Sequence, residues 1–184
     1  DIDRRHLVRQ IVGRELNAGA RPAAAAGGEV VLSVKNLGRR DEFADISLDV
    51  RSGEVLGIYG LIGSGRSEFL NCVFGITRPD AGSVALRGRP LPAGNPRQAI
   101  RRGLALVTED RKATGLVLSS SVAFNTTLAA LPELSRAGYI DRARDRALVR
   151  GLIERMRVRL ASPEMDVSEL SGGNQQQVVL AKCL

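Results

Sequence analysis

The eight residues Gly60-Leu61-Ile62-Gly63-Ser64-Gly65-Arg66-Ser67 constrain this chain more than any other stretch. They follow a short apolar run, VLGIY at 55–59, and precede EFLNCVFG, whose pattern predicts a helix ending at Gly75. Strand, glycine turn and helix in direct succession form the setting of a phosphate-binding turn. Glycines let the backbone turn its N–H groups inward around phosphate oxygens. The positive end of the following helix adds to that attraction. Against the template G-x-x-x-x-G-K-[ST], Gly60, Gly65 and Ser67 match, and Arg66 replaces the lysine. Lysine is a compact point charge, whereas arginine is longer, planar and forked. Arg66 therefore either holds phosphate differently or points away from it. Ser67 is placed to offer its hydroxyl to Mg²⁺. The competing reading is a glycine-rich strand–helix turn without a ligand. The loop predicts a nucleotide-binding α/β domain.

The flanking sequence supports a mixed fold. Residues 30–34, 46–50, 83–87 and 104–107 have the composition of strands, as does 55–59. Helices are predicted at 95–102, with Pro96 in the first turn, and at 121–131, 141–157 and 171–184. Asp141 and Ser171 stand where N-caps belong. Phe43 leads into the strand at 46–50 and is read as core packing. Ahead of these, residues 4–16 have the spacing of a short amphipathic helix. Residues 17–28, rich in Ala and Gly, read as a flexible linker, so the domain proper starts near Glu29. The chain opens at Asp1 without a methionine and closes at Leu184 within a helical pattern, so a fragment of a longer protein is expected.

Charge and cysteine usage narrow the function classes. Of 27 basic residues only Lys35, Lys112 and Lys182 are lysines, and the net charge is +7. The arginines are spread over the whole chain. No stacking aromatics, zinc-finger spacing or basic arm accompanies them, so no nucleic-acid partner is expected. No apolar run approaches the ~18–20 residues that cross a bilayer. Cys72 and Cys183 lack C-x-x-C spacing and read as buried free thiols. His6 is the sole histidine and is read as a surface residue rather than a metal ligand.

A second motif, Leu170-Ser171-Gly172-Gly173-Asn174-Gln175-Gln176, opens the last helix. A serine cap and two glycines leave backbone donors exposed at a positive helix end, which suits an anion. By itself S-G-G before a helix is an ordinary cap. Its pairing with a phosphate turn about a hundred residues upstream is far more specific.

With both motifs in hand, the chain resembles the ATP-binding cassette of ABC transporters, and within them the ATPase subunit of bacterial ribose, galactose and xylose importers. LSGGNQQ is similar to their signature, GEVLGIYGLIGSGRSE at 53–68 to their phosphate loop, and TEDRKATGLVLSSSVAFNTTL at 108–128 to the stretch between. The resemblance implies a P-loop NTPase fold, with a core sheet carrying an antiparallel β part and a helical subdomain at about 115–170. It also implies two cassettes in one polypeptide. Residues 1–16, with VGREL at 12–16, would be the tail of the first cassette, 17–28 the linker, and 29–184 an incomplete second cassette. Arg66 and the run Glu109-Asp110-Arg111-Lys112 fit the second cassette of that subfamily.

The implied chemistry is ATP and Mg²⁺ binding at the inner face of the bacterial membrane, energising monosaccharide import. The implied partners are the first cassette, the permease subunits and, indirectly, a periplasmic sugar-binding protein. Residues 60–67 would hold one ATP in a degenerate site. Ser171, Gly172, Gly173, Asn174 and Gln175 would complete the site of the other cassette. Glu109 stands where most cassettes place the glutamine of the Q-loop; it is either a cation ligand or a solvated acid. Near Leu37–Arg40 no aromatic is present to stack adenine. The family's Walker-B aspartate, catalytic glutamate and switch histidine fall after Leu184. No catalytic residue is therefore assigned, and the 184 residues alone are expected not to hydrolyse ATP. Residues 115–160 would approach the permease, while Arg142, Arg144, Arg146 and Arg150 are read as a solvated helix face. The rival function is a soluble ABC ATPase of the DNA-repair or translation type, and a further rival is a GTPase or kinase with a phosphate loop.

Overall fold

The computed structural model describes residues 28–184, so the expected tail, the linker and His6 lie outside the described residues. The described chain divides between Arg102 and Gly103 into two compact units.

The first unit is built on a four-stranded antiparallel sheet of order β2-β1-β3-β4, formed by β1 (Val30–Arg39), β2 (Phe43–Arg51), β3 (Ala81–Leu86) and β4 (Arg89–Pro90). β1 is the central strand, and it carries the buried Val34 and Leu37. Its register with β2 slips near Leu37, where Asn36 takes a positive φ of 47°. Asn36 tolerates that conformation because its side chain bonds locally, donating to Asp45 Oδ1 at 2.7 Å. Two helices belong to this unit, α1 (Arg66–Phe74) and α2 (Pro96–Arg101). α1 ends at Gly75 in the left-handed conformation, and α2 starts from an Asn95 cap with proline in its first turn, both as the sequence predicts.

Residues 55–59 depart from expectation. They form no strand, and Val55 and Tyr59 are more than nine-tenths exposed. Residues 104–107 of the second unit are likewise not strand. An apolar run becomes a strand only when a neighbour accepts its backbone hydrogen bonds. Among the described residues, neither run is paired with a strand of the sheet around β1.

The second unit is mostly helical. It holds a π-helical turn at Arg111–Gly115, α3 (Val122–Thr127), α4 (Leu131–Leu134), a hairpin of β5 (Ser135–Arg136) and β6 (Tyr139–Ile140), α5 (Arg142–Met156) and α6 (Gly172–Lys182). Its core gathers Leu116, Val122, Val158, Val167, Leu170, Val178 and Val179. The helix predicted at 121–131 is broken in two by a 3₁₀ turn at Leu128–Ala130. Two causes are visible. Thr126 and Thr127 turn their hydroxyls back onto Val122 O and Ala123 O, at 2.7 and 3.2 Å, which bends a helix. Pro132 then falls in the first turn of α4, where it can only begin a helix. The small hairpin was not foreseen; its turn uses Ala137 and Gly138, both at positive φ. α5 and α6 start at the predicted caps, with Asp141 Oδ1 accepting from Ala143 N and Arg144 N. Arg142, Arg144, Arg146 and Arg150 are all exposed, as a solvated face requires.

Burial raises both cysteine thiols above their ordinary range. Cys72 is buried as expected, whereas Cys183, after the last turn of α6, is only half-buried.

Candidate functional site

The first candidate site is the turn at 60–67. Its three glycines do different work. A Cβ on Gly60 would lie 2.4 Å from Ser64 Oγ, so the loop closes tightly on itself there. Gly63, at φ +81°, has open space around it and serves the turn alone. Gly65, at φ +77°, is both left-handed and crowded, because a Cβ would meet Glu42 O at 2.4 Å. It seats the start of α1 against the β1–β2 turn, and Phe69 N–H donates to Gly65 O at 2.8 Å as α1 begins. Below this, Phe69 is buried and receives the Phe43 ring edge-on, with centroids 5.7 Å apart. Phe43 is thereby engaged in packing, as its sequence position predicts.

The tip of the turn is open, with Leu61 and Ile62 79% and 101% exposed. Arg66 is half-buried, and its Cδ lies 3.5 Å from where a Gly60 Cβ would be. Its stem thus folds back along the loop. Ser67 is exposed at the helix start. A turn closed by glycines at the head of a nine-residue helix fits a phosphate group. Among the described residues no three His, Cys, Asp or Glu side chains converge to hold a metal ion. Ser67 would then hold Mg²⁺ only together with the phosphates of a nucleotide, which is the usual manner of that ion.

The second candidate site is the start of α6. Ser171 Oγ accepts from Asn174 N at 3.5 Å and from Asn174 Nδ2 at 3.2 Å. Asn174 Oδ1 in turn accepts from Arg159 N at 3.0 Å, tying the cap to the segment that follows α5. Gln175 is buried, and its Nε2 donates to Val167 O at 3.2 Å. Ser171, Gly172 and Gly173 are exposed. The motif thus has an open glycine face on a rigid base, as an anion site at a helix start needs.

The run 109–112 leads into the π-helical turn. Asp110 caps it, with Oδ1 accepting from Lys112 N at 2.9 Å and Ala113 N at 3.0 Å. These two backbone bonds, first Ala113 and then Lys112, hold the Asp110 carboxyl below its usual range. Glu109 is exposed just ahead of it. Arg111 Nε donates to Gln175 Oε1 at 3.1 Å, so this loop and the signature motif meet through side chains 64 residues apart in sequence.

Sequence reading missed two of these structural residues. In sequence Arg111 is one letter of a charged run, and nothing in the pattern pairs it with Gln175. Asn125 reads in sequence as an ordinary position of the helix predicted at 121–131. It is fully buried, accepts from Val117 N at 2.7 Å, and donates to Val117 O and Ser121 O, each at 3.0 Å. It fixes the loop that joins the π-helical turn to α3.

Known proteins resemble this arrangement. Residues 43–184 match the family model described as ABC transporter. The chain is 48% identical over 178 residues to the ribose import ATP-binding protein RbsA of Chromobacterium violaceum, covering 97% of this chain and 36% of that protein. It is 43% identical over 183 residues to a putative ribose/galactose/methyl galactoside import ATP-binding protein of Rhizobium meliloti, covering 99% of this chain and 36% of that one. The chain therefore spans about a third of the length of these curated relatives. Among solved structures, cbiO1 of Clostridium perfringens, part of the ABC transporter complex cbiONQ, superposes with a TM-score of 0.67 at 20% identity, over 85% of this chain and 61% of that one. At that identity the likeness concerns the fold.

Proposed function

The chain belongs to the ABC transporter family, and we propose that it is part of the ATP-binding subunit of a bacterial monosaccharide importer, acting at the cytoplasmic face of the inner membrane. The observation that carries this reading is the presence of two glycine motifs at helix starts, a glycine-closed turn at 60–67 and a capped glycine face at 171–175, in a chain 43–48% identical to sugar import ATP-binding proteins. Among the described residues no helix is long and apolar enough to cross a membrane, so coupling to transport would run through permease subunits. A periplasmic sugar-binding protein would deliver the sugar to them. The reported relatives are named for import, which leaves the soluble repair or translation ATPase without support.

Within that subunit, residues 29–184 are read as part of the second cassette, with a helical subdomain at about 115–170, and residues 1–16 and 17–28 as the preceding tail and linker. Two cassettes would face each other head to tail. ATP with Mg²⁺ supplies the phosphoryl chemistry when bound. Residues 60–67 would cradle its phosphates through backbone N–H groups, with Ser67 toward the metal. Arg66 cannot replace the lysine atom for atom, because its charge is spread over a planar fork. Glu109 adds a negative charge where cassettes usually carry an amide. Both features favour a weak or non-hydrolytic site in this half. Ser171, Gly172, Gly173, Asn174 and Gln175 would instead serve the ATP held by the other cassette. There the exposed glycine face and the positive start of α6 would stabilise charge on the transferring phosphoryl group.

The test is ATPase turnover of the full-length protein. Ser171→Arg should remove most activity, since a bulky cation would fill the glycine face. Arg66→Ala should leave most of it. Loss of turnover in Arg66→Ala with Ser171→Arg intact would overturn the assignment of roles.

A further inference from the structure

We propose that Arg111 is a positioning residue, locking the signature turn at 171–175 to the Glu109 loop so that the two move as one piece. The inference rests on the reading of 171–175 as a nucleotide half-site.

The lock has two sides. On one, Gln175 is 5% exposed and both ends of its amide are engaged, Oε1 by Arg111 Nε at 3.1 Å and Nε2 by Val167 O at 3.2 Å. On the other, the Arg111 guanidinium lies along the first glycine of the motif, with Nη2 3.0 Å from where a Gly172 Cβ would be. A second tie stands at the far end of the same helix, where Lys182 Nζ donates to Gly115 O. The same Gly115 lies so close to α6 that a Cβ there would come within 3.2 Å of Val179 Cγ2. The π-helical turn Arg111–Gly115 is therefore fastened along α6 at both of its ends, by Arg111 at one and by Gly115 at the other. Glu109 is two residues ahead of it, so a shift of Glu109 is passed to the signature turn through Arg111.

Electrostatics says why a merely structural role is a poor account of Arg111. A helix start is the positive end of the dipole, and a guanidinium there is repelled. A neutral side chain of similar length would cap the packing at less cost. Arginine contributes a fork: Nε engages Gln175 while the terminal Nη2 lies along the turn. Lysine has a single terminal nitrogen and cannot do both.

Three full-length variants test this, Arg111→Met, Arg111→Lys and Arg111→Met combined with Gln175→Met, beside Gln175→Met alone. Arg111→Met should lower kcat about 10- to 100-fold, the scale of a misplacement near 1 Å, with KM for ATP little moved. Its Tm should stay level or rise, because a repelled charge has left the helix start. Arg111→Lys should recover little of the loss. The double variant should be no slower than Gln175→Met alone, since Arg111 acts through that residue. Amide hydrogen exchange at 175–177 should quicken in Arg111→Met, whether or not the protein turns over ATP. Unchanged exchange, unchanged kcat, a fall of kcat in step with Tm, or losses that multiply in the double variant would each overturn the proposal. A wild-type protein without ATPase activity would instead count against the functional reading, while exchange at 175–177 still decides the role of Arg111.

Discussion

At the residue scale, the glycines of the phosphate turn separate two requirements that the sequence shows as one. Gly63 and Gly65 are both left-handed, but only Gly65 faces a backbone carbonyl within reach of a Cβ. Alanine at either position must accept the left-handed backbone, which costs about 1–2 kcal/mol. Alanine at 65 must also push away Glu42 O, which belongs to a turn braced by the Arg39–Glu42 ion pair. Gly65→Ala should therefore lower the urea midpoint clearly more than Gly63→Ala. Equal midpoints would show that the contact with Glu42 yields easily. The template G-x-x-x-x-G-K-[ST] marks Gly65 and leaves Gly63 unmarked, and this difference in crowding is a physical reason for it.

At the element scale, the helices and strands that read correctly are those with local punctuation. Asn95 followed by Pro96, Asp141, Ser171 and Gly75 each start or stop a helix by bonds within a few residues, so sequence alone locates them. The misread stretches are those whose conformation depends on distant partners or on competing side-chain bonds. VLGIY and LALV had the right residues for strands and no paired neighbour among the described residues. The helix after Ser121 had the right periodicity, but Thr126, Thr127 and Pro132 broke it. The candidate site divides the same way. Both glycine motifs were legible, whereas the Arg111–Gln175 bond spans 64 residues and leaves no mark on periodicity. The π-helical turn carries its own test. The Asp110 carboxylate that caps it is held below its usual range by the Ala113 and Lys112 amides. A lowered value means that the cap is in force above the ordinary carboxylate range and is lost as pH falls through the lowered one. Amide resonances of Lys112 and Ala113 should titrate with a midpoint below that of an ordinary aspartate, and Asp110→Asn should abolish the titration. A midpoint at or above the ordinary value would remove the cap from the account.

At the scale of the whole molecule, the division of labour follows the two units. The sheet unit carries the turn at 60–67, and the helical unit carries the glycine motif at 171–175 and the Glu109 loop. Each has its own apolar centre, around Val34, Leu37 and Phe69 in the first and around Val122, Val167 and Val178 in the second.

The unpaired run at 55–59 has a practical consequence for anyone who purifies these 184 residues. Together with Leu61 and Ile62 it forms an uncharged, β-prone ribbon, with Glu54 before it and Arg66 after it as the nearest ionic gatekeepers. Such a ribbon should self-associate, giving turbidity and thioflavin fluorescence that grow with concentration, and Val55→Lys with Tyr59→Lys should suppress both. Stable, clear monomer from the unmodified chain at high concentration would show that the ribbon is shielded in solution. If the ribbon does self-associate, polypeptide that covers this segment acts as an intramolecular chaperone, and yield and shelf life should improve with it in place.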